Sequence, residues 1–231
     1  MEARSKGERT RSRVLEVTAQ LVVIRGVEGV THAAVAELVP CTRTLVYRYF
    51  PSRESLLGGI LERVAEQYQE RFDMAEVKED LRRRLHARRG AMPAASRAFQ
   101  ERFWRPEDWN EEFLTFNLAS VILVRMVLLG GTIGGQPISD RHLLTPRFVA
   151  GPLRELGLTR MQAELVVDSM LSALYHVLRA ALAGAITRED AIELQFRMIS
   201  GALQTVAATV PAVPHTGKEG RAQRAAHARP G

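Results

Sequence analysis

The sequence predicts an all-α protein, and two observations carry this prediction. Apolar residues recur throughout the chain at the three- and four-residue spacing of amphipathic helices. No run of alternating apolar and polar residues is long enough to indicate a β-strand. The 231 residues, 46% of them hydrophobic, suffice for one large domain or two smaller ones with a buried core.

Three helices are predicted at the N-terminal end, over about residues 9–25, 32–38 and 43–50. Gly26 is suited to close the first, because glycine readily adopts the conformation found after a last helical turn. The hydroxyls of Thr31 and Thr42 are suited to cap the starts of the second and third helices. Pro40 and Pro51 then stop these two helices.

A fourth helix is predicted after Ser52, with an apolar stripe that extends from Leu56 to Phe72. One small domain is not deep enough to cover the whole stripe. We therefore expect the helix to extend from the N-terminal module into the body of the protein. Further helices are predicted over about residues 94–105 and 107–129, and the glycine-rich residues 130–137 are a predicted loop.

Two C-terminal helices have clear start signals. Thr159 and Gln162 form a capping box before residues 161–185, and Thr187 with Asp190 opens the last helix. The first of the two is apolar almost all round, which predicts packing against a second subunit or, alternatively, the centre of a monomeric bundle. The last helix carries a heptad seam that faces another helix: Ile192, Phe196, Ile199, Leu203, Val206 and Val210.

Charge and composition narrow the class of protein. Residues 1–60 and residues 211–231 each carry a net charge of +3, whereas residues 61–210 are neutral. A basic N-terminal module suggests a polyanionic partner, although a small basic excess is also common on protein surfaces. The single cysteine excludes an internal disulfide and a cysteine-based zinc site. With polar first residues and no apolar run long enough to span a bilayer, we expect a cytoplasmic protein without a membrane partner.

The third predicted helix is unsuited to a protein core. It carries Arg43, Thr44, Tyr47 and Arg48, which would be left unpaired if they were buried. In the major groove of DNA, the same side chains can reach base edges and phosphates. Because a short turn joins this helix to the one before it, the pair is predicted to form a helix-turn-helix.

Residues 10–60 resemble the DNA-binding domain of the TetR family of transcriptional regulators. The residues that carry the resemblance are Gly26, Thr31 with Val35-Ala36, Thr42-Arg43-x-x-Val46-Tyr47-x-Tyr49-Phe50, and Ser52-Arg53-Glu54-x-Leu56-Leu57. The turn departs from the family, since Val39-Pro40-Cys41-Thr42 stands where Ala-Gly-Val-Ser is usual. Glycine permits a left-handed backbone there and proline does not, so this turn must take another shape.

The resemblance implies a three-helix DNA-binding domain at residues 8–55 and a helical ligand-binding and dimerisation domain at residues 56–210. The composition of residues 211–231 predicts a disordered basic tail. By resemblance, a homodimer formed through the two C-terminal helices would bind double-stranded DNA at a palindromic operator, most often as a repressor. Thr31, Tyr47 and Arg53 would contact phosphates, and the candidates for base edges or nearby phosphates are Thr42, Arg43, Thr44 and Arg48.

The resemblance also implies a small-molecule effector bound in the C-terminal domain. Candidates for an apolar pocket with polar groups are Phe103, Trp104, Trp109, Phe113, Phe116, Met126, Tyr175, His176 and Arg179. The same apolar residues at helical spacing are more often plain core.

No pattern of an enzyme is present in the sequence. We find no nucleophile elbow, no P-loop, no dinucleotide fingerprint and no pair of histidines at metal-ligand spacing, so we expect no catalysis, cofactor or metal. The alternative to a regulator is a helical dimeric protein-interaction module without an operator or inducer. That alternative predicts no sequence-specific binding of DNA.

Overall fold

The residues that the structure describes form ten α-helices. This structure is a computed structural model, and it describes residues 5–69, 71–88, 91–128 and 149–208. The helices are α1 (Lys6–Arg25), α2 (His32–Leu38), α3 (Arg43–Tyr49), α4 (Arg53–Gln69), α5 (Met74–His86), α6 (Ala94–Phe103), α7 (Glu111–Leu128), α8 (Gly151–Glu155), α9 (Arg160–Leu182) and α10 (Arg188–Ala208). Within these residues there is no strand, and the predicted all-α class is confirmed.

Local signals set the bounds of the N-terminal helices. The side chain of Ser5 and that of Glu8 form a capping box at the start of α1. Gly26 ends α1 with a φ of 71°, a backbone conformation that favours glycine. α2 and α3 begin directly after Thr31 and Thr42, as the sequence predicts.

Close packing of α4 on α1 depends on Gly59. A Cβ atom at this position would lie 2.8 Å from Cδ2 of Leu15 and 3.0 Å from Cε1 of Phe50. Leu15, Phe50 and Ile60 are all buried in the core of the N-terminal domain. The neighbouring Gly58 has open space where a side chain would stand. Packing therefore requires glycine at position 59 but not at position 58.

In the middle of the chain, some helices begin or end at other residues than predicted. α4 stops at Gln69, short of Phe72, because Asp73 caps a new helix by accepting a hydrogen bond from the backbone N–H of Ala75. The predicted helix over residues 107–129 is preceded by a 3-10 turn at Pro106–Asp108 and begins at Glu111. The short helix α8 has no counterpart in the prediction.

The body of the protein is built around α7, α9 and α10. α9 packs along α10 and α7, and α7 also contacts α1 and α4. The predicted capping box of Thr159 and Gln162 is confirmed at the start of α9. Residues of the heptad seam, including Ile192, Phe196 and Leu203, are buried within this chain. The helix that the seam faces therefore belongs to the same chain.

Some predicted features lie outside the described residues or remain untested. The loop at residues 130–137, Val210 and the tail at residues 211–231 lie outside them. The predicted domain boundary between residues 55 and 56 falls in the first turn of α4, which continues across it. Within the described part of the chain, α9 is the one helix long and apolar enough to cross a membrane by length and composition, a test that core helices of soluble proteins also pass.

Gly59→Ala is expected to lower the free energy of unfolding by about 1–3 kcal/mol, because the added methyl group overpacks the contact between α4 and α1. Gly58→Ala is the matched control and is expected to raise it by about 0.5–1 kcal/mol, because alanine costs less backbone entropy in a helix. Urea denaturation followed by circular dichroism measures both changes. Equal stability of the two variants would contradict the close packing at Gly59.

Candidate nucleic-acid interface and ligand cavity

The turn between α2 and α3 avoids the left-handed conformation that proline forbids. Val39, after the end of α2, is extended with a φ of −104°, and Thr42 precedes α3 with a φ of −78°. The backbone N–H of Cys41 donates to the carbonyl oxygen of Val39 at 2.6 Å. In the described part of the chain, no residue other than glycine has a positive φ. α2 and α3 are thus joined as a helix-turn-helix despite Pro40.

Two threonine hydroxyls cap the helices of this motif. Oγ1 of Thr31 accepts a hydrogen bond from the backbone N–H of Ala34 at 3.1 Å, and Oγ1 of Thr42 accepts one from Leu45 at 3.2 Å. Both threonines are exposed. Each cap uses the hydroxyl oxygen as an acceptor, so the O–H group remains available to donate to a phosphate.

One side of α3 is polar and open to solvent. Arg43, Thr44, Tyr47 and Arg48 are exposed, and their spacing places them on one side of the helix. Val46, on the other side, is completely buried. The four residues predicted to meet DNA from this helix therefore share one accessible surface, which we call the α3 face.

The ring of Tyr47 lies flat on the imidazole of His32, a residue to which the sequence analysis assigned no role. The ring centroids are 3.9 Å apart and the planes differ by 4°. His32 is buried, and its Nε2 lies 2.8 Å from the carbonyl oxygen of Phe50. Because a carbonyl oxygen only accepts, Nε2 carries the proton and donates. His32 thereby joins the start of α2 to the end of α3 and supports Tyr47.

Arg53, predicted to contact phosphate, directs hydrogen bonds into its own domain. Its Nε donates to the carbonyl oxygen of Val30 at 3.0 Å, and its Nη2 donates to that of Val27 at 2.6 Å. The same Nη2 lies 3.2 Å from a carboxylate oxygen of Glu28. Arg53 therefore ties the start of α4 to the segment between α1 and α2. Its contact with phosphate stays a prediction.

A comparison with known families agrees with this geometry. Residues 14–60 match the family model of bacterial regulatory proteins of the TetR family. Residues 14–60 therefore form a TetR-type DNA-binding domain. The matched residues include α2, the turn and α3 in full, so this chain carries the DNA-binding domain of a transcriptional regulator. TetR-family regulators bind DNA and are not enzymes, in agreement with the sequence analysis.

Comparisons with whole proteins give weaker similarity. A crystal structure from Mesorhizobium loti MAFF303099, assigned to the TetR-family transcriptional regulators, is 16% identical and is aligned over 89% of this chain and 98% of its own. Its TM-score is 0.41. No curated protein matches the chain. The match to the TetR family thus covers residues 14–60.

The body of the protein contains a cavity of about 160 Å³. Four aromatic residues, which we call the aromatic wall, line it: Tyr68, Phe72, Phe99 and Phe103. Phe103 lies nearly parallel to both Tyr68 and Phe72, with interplanar angles of 18° and 19°. Most of the remaining lining is aliphatic and comes from α4, α5, α7, α9 and α10. The cavity thus lies where the long helices of the body meet.

Of the nine residues predicted to bind a ligand, Phe103 lines this cavity. Trp104 is completely buried, and its indole N–H donates to Oε1 of Gln195 at 2.6 Å. Trp109 and Phe113 pack edge-on against Trp104. These three aromatic residues lie outside the cavity lining. A sequence pattern can identify a buried residue, but it does not reveal whether a void adjoins it.

The other five predicted ligand residues also lie outside the cavity lining. Phe116 is buried and borders a separate polar crevice between α1 and α7, and Met126 is half-buried. Tyr175 is half-buried, and its hydroxyl oxygen accepts a hydrogen bond from Nη1 of Arg179 at 3.3 Å. His176 and Arg179 are exposed on α9. Tyr175, His176 and Arg179 lie outside the lining because α9 turns Met170 and Leu174 toward the cavity instead.

Two buried polar pairs in the cavity wall were not predicted. The hydroxyl of Tyr68 donates to Oδ1 of Asn117, and burial raises the pKa of Tyr68 well above its usual range. Nε of Arg84 donates to Oδ2 of Asp80 at 2.6 Å. Burial lowers the pKa of Arg84, and the adjacent carboxylate opposes that shift. The four-residue spacing of Asp80 and Arg84 on one helix was the signal available in the sequence.

His32→Ala is expected to lower the free energy of unfolding by about 1–3 kcal/mol, because the carbonyl group of Phe50 loses its buried partner. It should also weaken binding to mixed-sequence duplex DNA, because Tyr47 loses its support. His32→Phe keeps a flat ring under Tyr47 but lacks the N–H, so it should restore DNA affinity without restoring stability. Fluorescence anisotropy and urea denaturation measure the two effects. Unchanged DNA affinity in both variants would show that Tyr47 does not need this support.

Proposed function

We propose that the chain is a homodimeric transcriptional repressor that binds a palindromic operator and is released by a small apolar ligand. In this proposal residues 8–55 bind DNA, and residues 56–210 bind the ligand and dimerise in the cytoplasm. The observation that carries it is the α3 face, where Arg43, Thr44, Tyr47 and Arg48 stand exposed on the second helix of a helix-turn-helix.

The position of each residue on the motif suggests its contact with DNA. Arg43 and Thr44 occupy the first turn of α3, and the N-terminal residues of a recognition helix contact base edges. Thr42, the cap, and Arg48, one turn further on, are candidates for base edges or nearby phosphates. Tyr47 presents its hydroxyl beside them as a phosphate contact, with Thr31 and Arg53 in the same role.

Exposed apolar side chains on α9 and α10 support a homodimer. Met161 and Leu165 on α9 are 71% and 55% exposed, and Leu194 and Met198 on α10 are 43% and 46% exposed. Each pair is four residues apart and so lies on one side of its helix. We call these four residues the α9–α10 patch. Because the heptad seam is already buried within the chain, the proposed interface uses the α9–α10 patch instead.

Helix α4 is suited to couple the ligand to DNA binding. Its first half packs in the core of the DNA-binding domain through Leu57 and Ile60, and its second half reaches the cavity wall through Val64 and Tyr68. Two recognition helices must meet successive major grooves about 34–36 Å apart. A ligand that prefers another position of α4 would lower DNA affinity by its differential binding to the two arrangements.

Selection of bound DNA from a random pool, with the full chain, tests the proposal. A recovered palindrome would support a homodimer with two equivalent recognition helices. Recovery of no motif, with only salt-sensitive general binding, would contradict an operator and would favour the interaction module. A reporter placed behind the selected sequence then distinguishes a repressor from an activator.

Arg43→Ala is expected to weaken binding to the selected sequence by about 1–3 kcal/mol and to relax the preference at one base pair, because a bidentate contact with guanine is lost. Binding curves with the selected duplex and its single-base variants measure both effects. Tyr47→Phe is the control and should weaken binding to every duplex alike, as a lost phosphate contact does. An unchanged base preference in Arg43→Ala would remove Arg43 from the surface that reads sequence.

Leu194→Glu combined with Met198→Glu is expected to convert the dimer into a monomer, because burial of two unpaired carboxylates at an interface is unfavourable. Sedimentation velocity measures the mass at several protein concentrations. Ile24→Glu introduces an acid at another exposed apolar residue, 77% exposed on α1, and should leave the dimer intact. An unchanged mass of the double variant would place the dimer interface away from these two residues.

A further inference from the structure

The size of the cavity suits an occupant of one ring. The cavity measures about 160 Å³. An engineered apolar cavity of about 150 Å³ holds a molecule of benzene, whereas sites for larger ligands usually measure about 300–1,000 Å³. A six-membered ring with one small substituent therefore fits the available space.

The aromatic wall favours a flat ring over a globular aliphatic molecule. The centroids of Phe103 and Tyr68 are 5.1 Å apart, and those of Phe103 and Phe72 are 5.8 Å apart, in nearly parallel planes. Rings of this orientation offer a further aromatic ring the offset or edge-on contacts that aromatic pairs prefer. The aliphatic residues of the remaining lining add apolar contact without a directional requirement.

Two cavity-lining residues carry an oxygen that accepts no hydrogen bond. These are Gln100, through Oε1, and Asp80, through Oδ1, and the two residues are only 5% and 2% exposed. A buried acceptor without a hydrogen bond is unfavourable, and neither oxygen is exposed to solvent. The last torsion of a glutamine side chain is soft, so the amide of Gln100 can turn its oxygen toward a donor in the cavity.

The charges in the wall favour an uncharged ligand. Asp80 and Arg84 are joined at 2.6 Å and neutralise each other. Arg83, whose Nη2 lies 3.7 Å from Oδ1 of Asp80, is partly exposed and also pairs with Glu79. These groups therefore offer a charged ligand no unneutralised partner. Burial of an unpaired ion costs several kcal/mol.

From size, aromatic lining, open acceptors and charge balance, we infer that the effector is an uncharged single-ring aromatic molecule with a hydrogen-bond donor. Phenols and neutral aromatic amines belong to this chemical class. The inference rests on the proposed function, because it names the ligand of the cavity through which that function is regulated. In this inference, Gln100 selects the ligand through a hydrogen bond, in addition to the apolar contacts.

Ligand-observed NMR titration of the full chain with phenol, toluene and benzoate tests the inference. Phenol and toluene differ by one hydroxyl in place of a methyl group, so their comparison isolates the hydrogen bond. Phenol should bind about fivefold more tightly than toluene, the gain of one net hydrogen bond. Benzoate should bind at least about tenfold more weakly than phenol, because its charge finds no partner.

Gln100→Leu should abolish the preference for phenol while toluene still binds. Gln67→Leu is the matched control, because Oε1 of Gln67 is also buried without a partner but lies outside the cavity lining. Equal affinities for phenol and toluene, tight binding of benzoate, no binding of any probe, or a preference that survives Gln100→Leu would each overturn the inference. These titrations contain no DNA, so their failure would leave DNA binding standing. Failure of the DNA selection would likewise leave the titrations interpretable.

Discussion

The contact between α4 and α1 at Gly59 is the constraint on which the rest of the structure depends. α4 is a single helix of 17 residues whose first half belongs to the helix-turn-helix core and whose second half reaches the cavity wall. Close approach at Gly59 holds its first half against Leu15 and Phe50. Because α7 packs on both α1 and α4, the position of α4 also sets how the body sits on the N-terminal domain.

Polar contacts between distant elements reinforce this arrangement. Nη2 of Arg63 on α4 lies 2.8 Å from Glu112 of α7, and its Nη1 donates to the hydroxyl of Ser12 on α1 at 3.3 Å. Further along α4, the hydroxyl of Tyr68 donates to Asn117 of α7. Directional contacts tolerate fewer relative positions of two helices than apolar packing does. α1, α4 and α7 are therefore joined at defined points between the α3 face and the cavity.

Features governed by neighbouring residues were predictable from the sequence. The caps at Thr31, Thr42 and Thr159 and the helix end at Gly26 are all present where the sequence places them. Each depends on hydrogen bonds or backbone angles within one turn of helix, so the local residues contain the necessary information. The exposed and buried sides of α3 follow from helical periodicity for the same reason.

The cavity was not predictable in this way. Its lining combines Tyr68, Asn117, Leu174 and Ile199, which are far apart in the chain and meet only after α4, α7, α9 and α10 have packed. The aromatic pattern suggested Phe103, which lines the cavity, together with Trp104 and Phe113, which are buried rings outside its lining. Periodicity reports that a side of a helix is covered, and it carries no information about which neighbour covers it.

By itself, the sequence determined the all-α class, the helix-turn-helix and the residues of the α3 face, because short-range hydrogen bonds and periodicity specify them. Only the tertiary structure decided that His32 supports Tyr47, that Arg53 bonds inward and that the heptad seam is buried within the chain. It also decided which residues line the cavity. Those outcomes depend on the relative positions and rotations of helices distant in sequence, which are set by packing of the whole core.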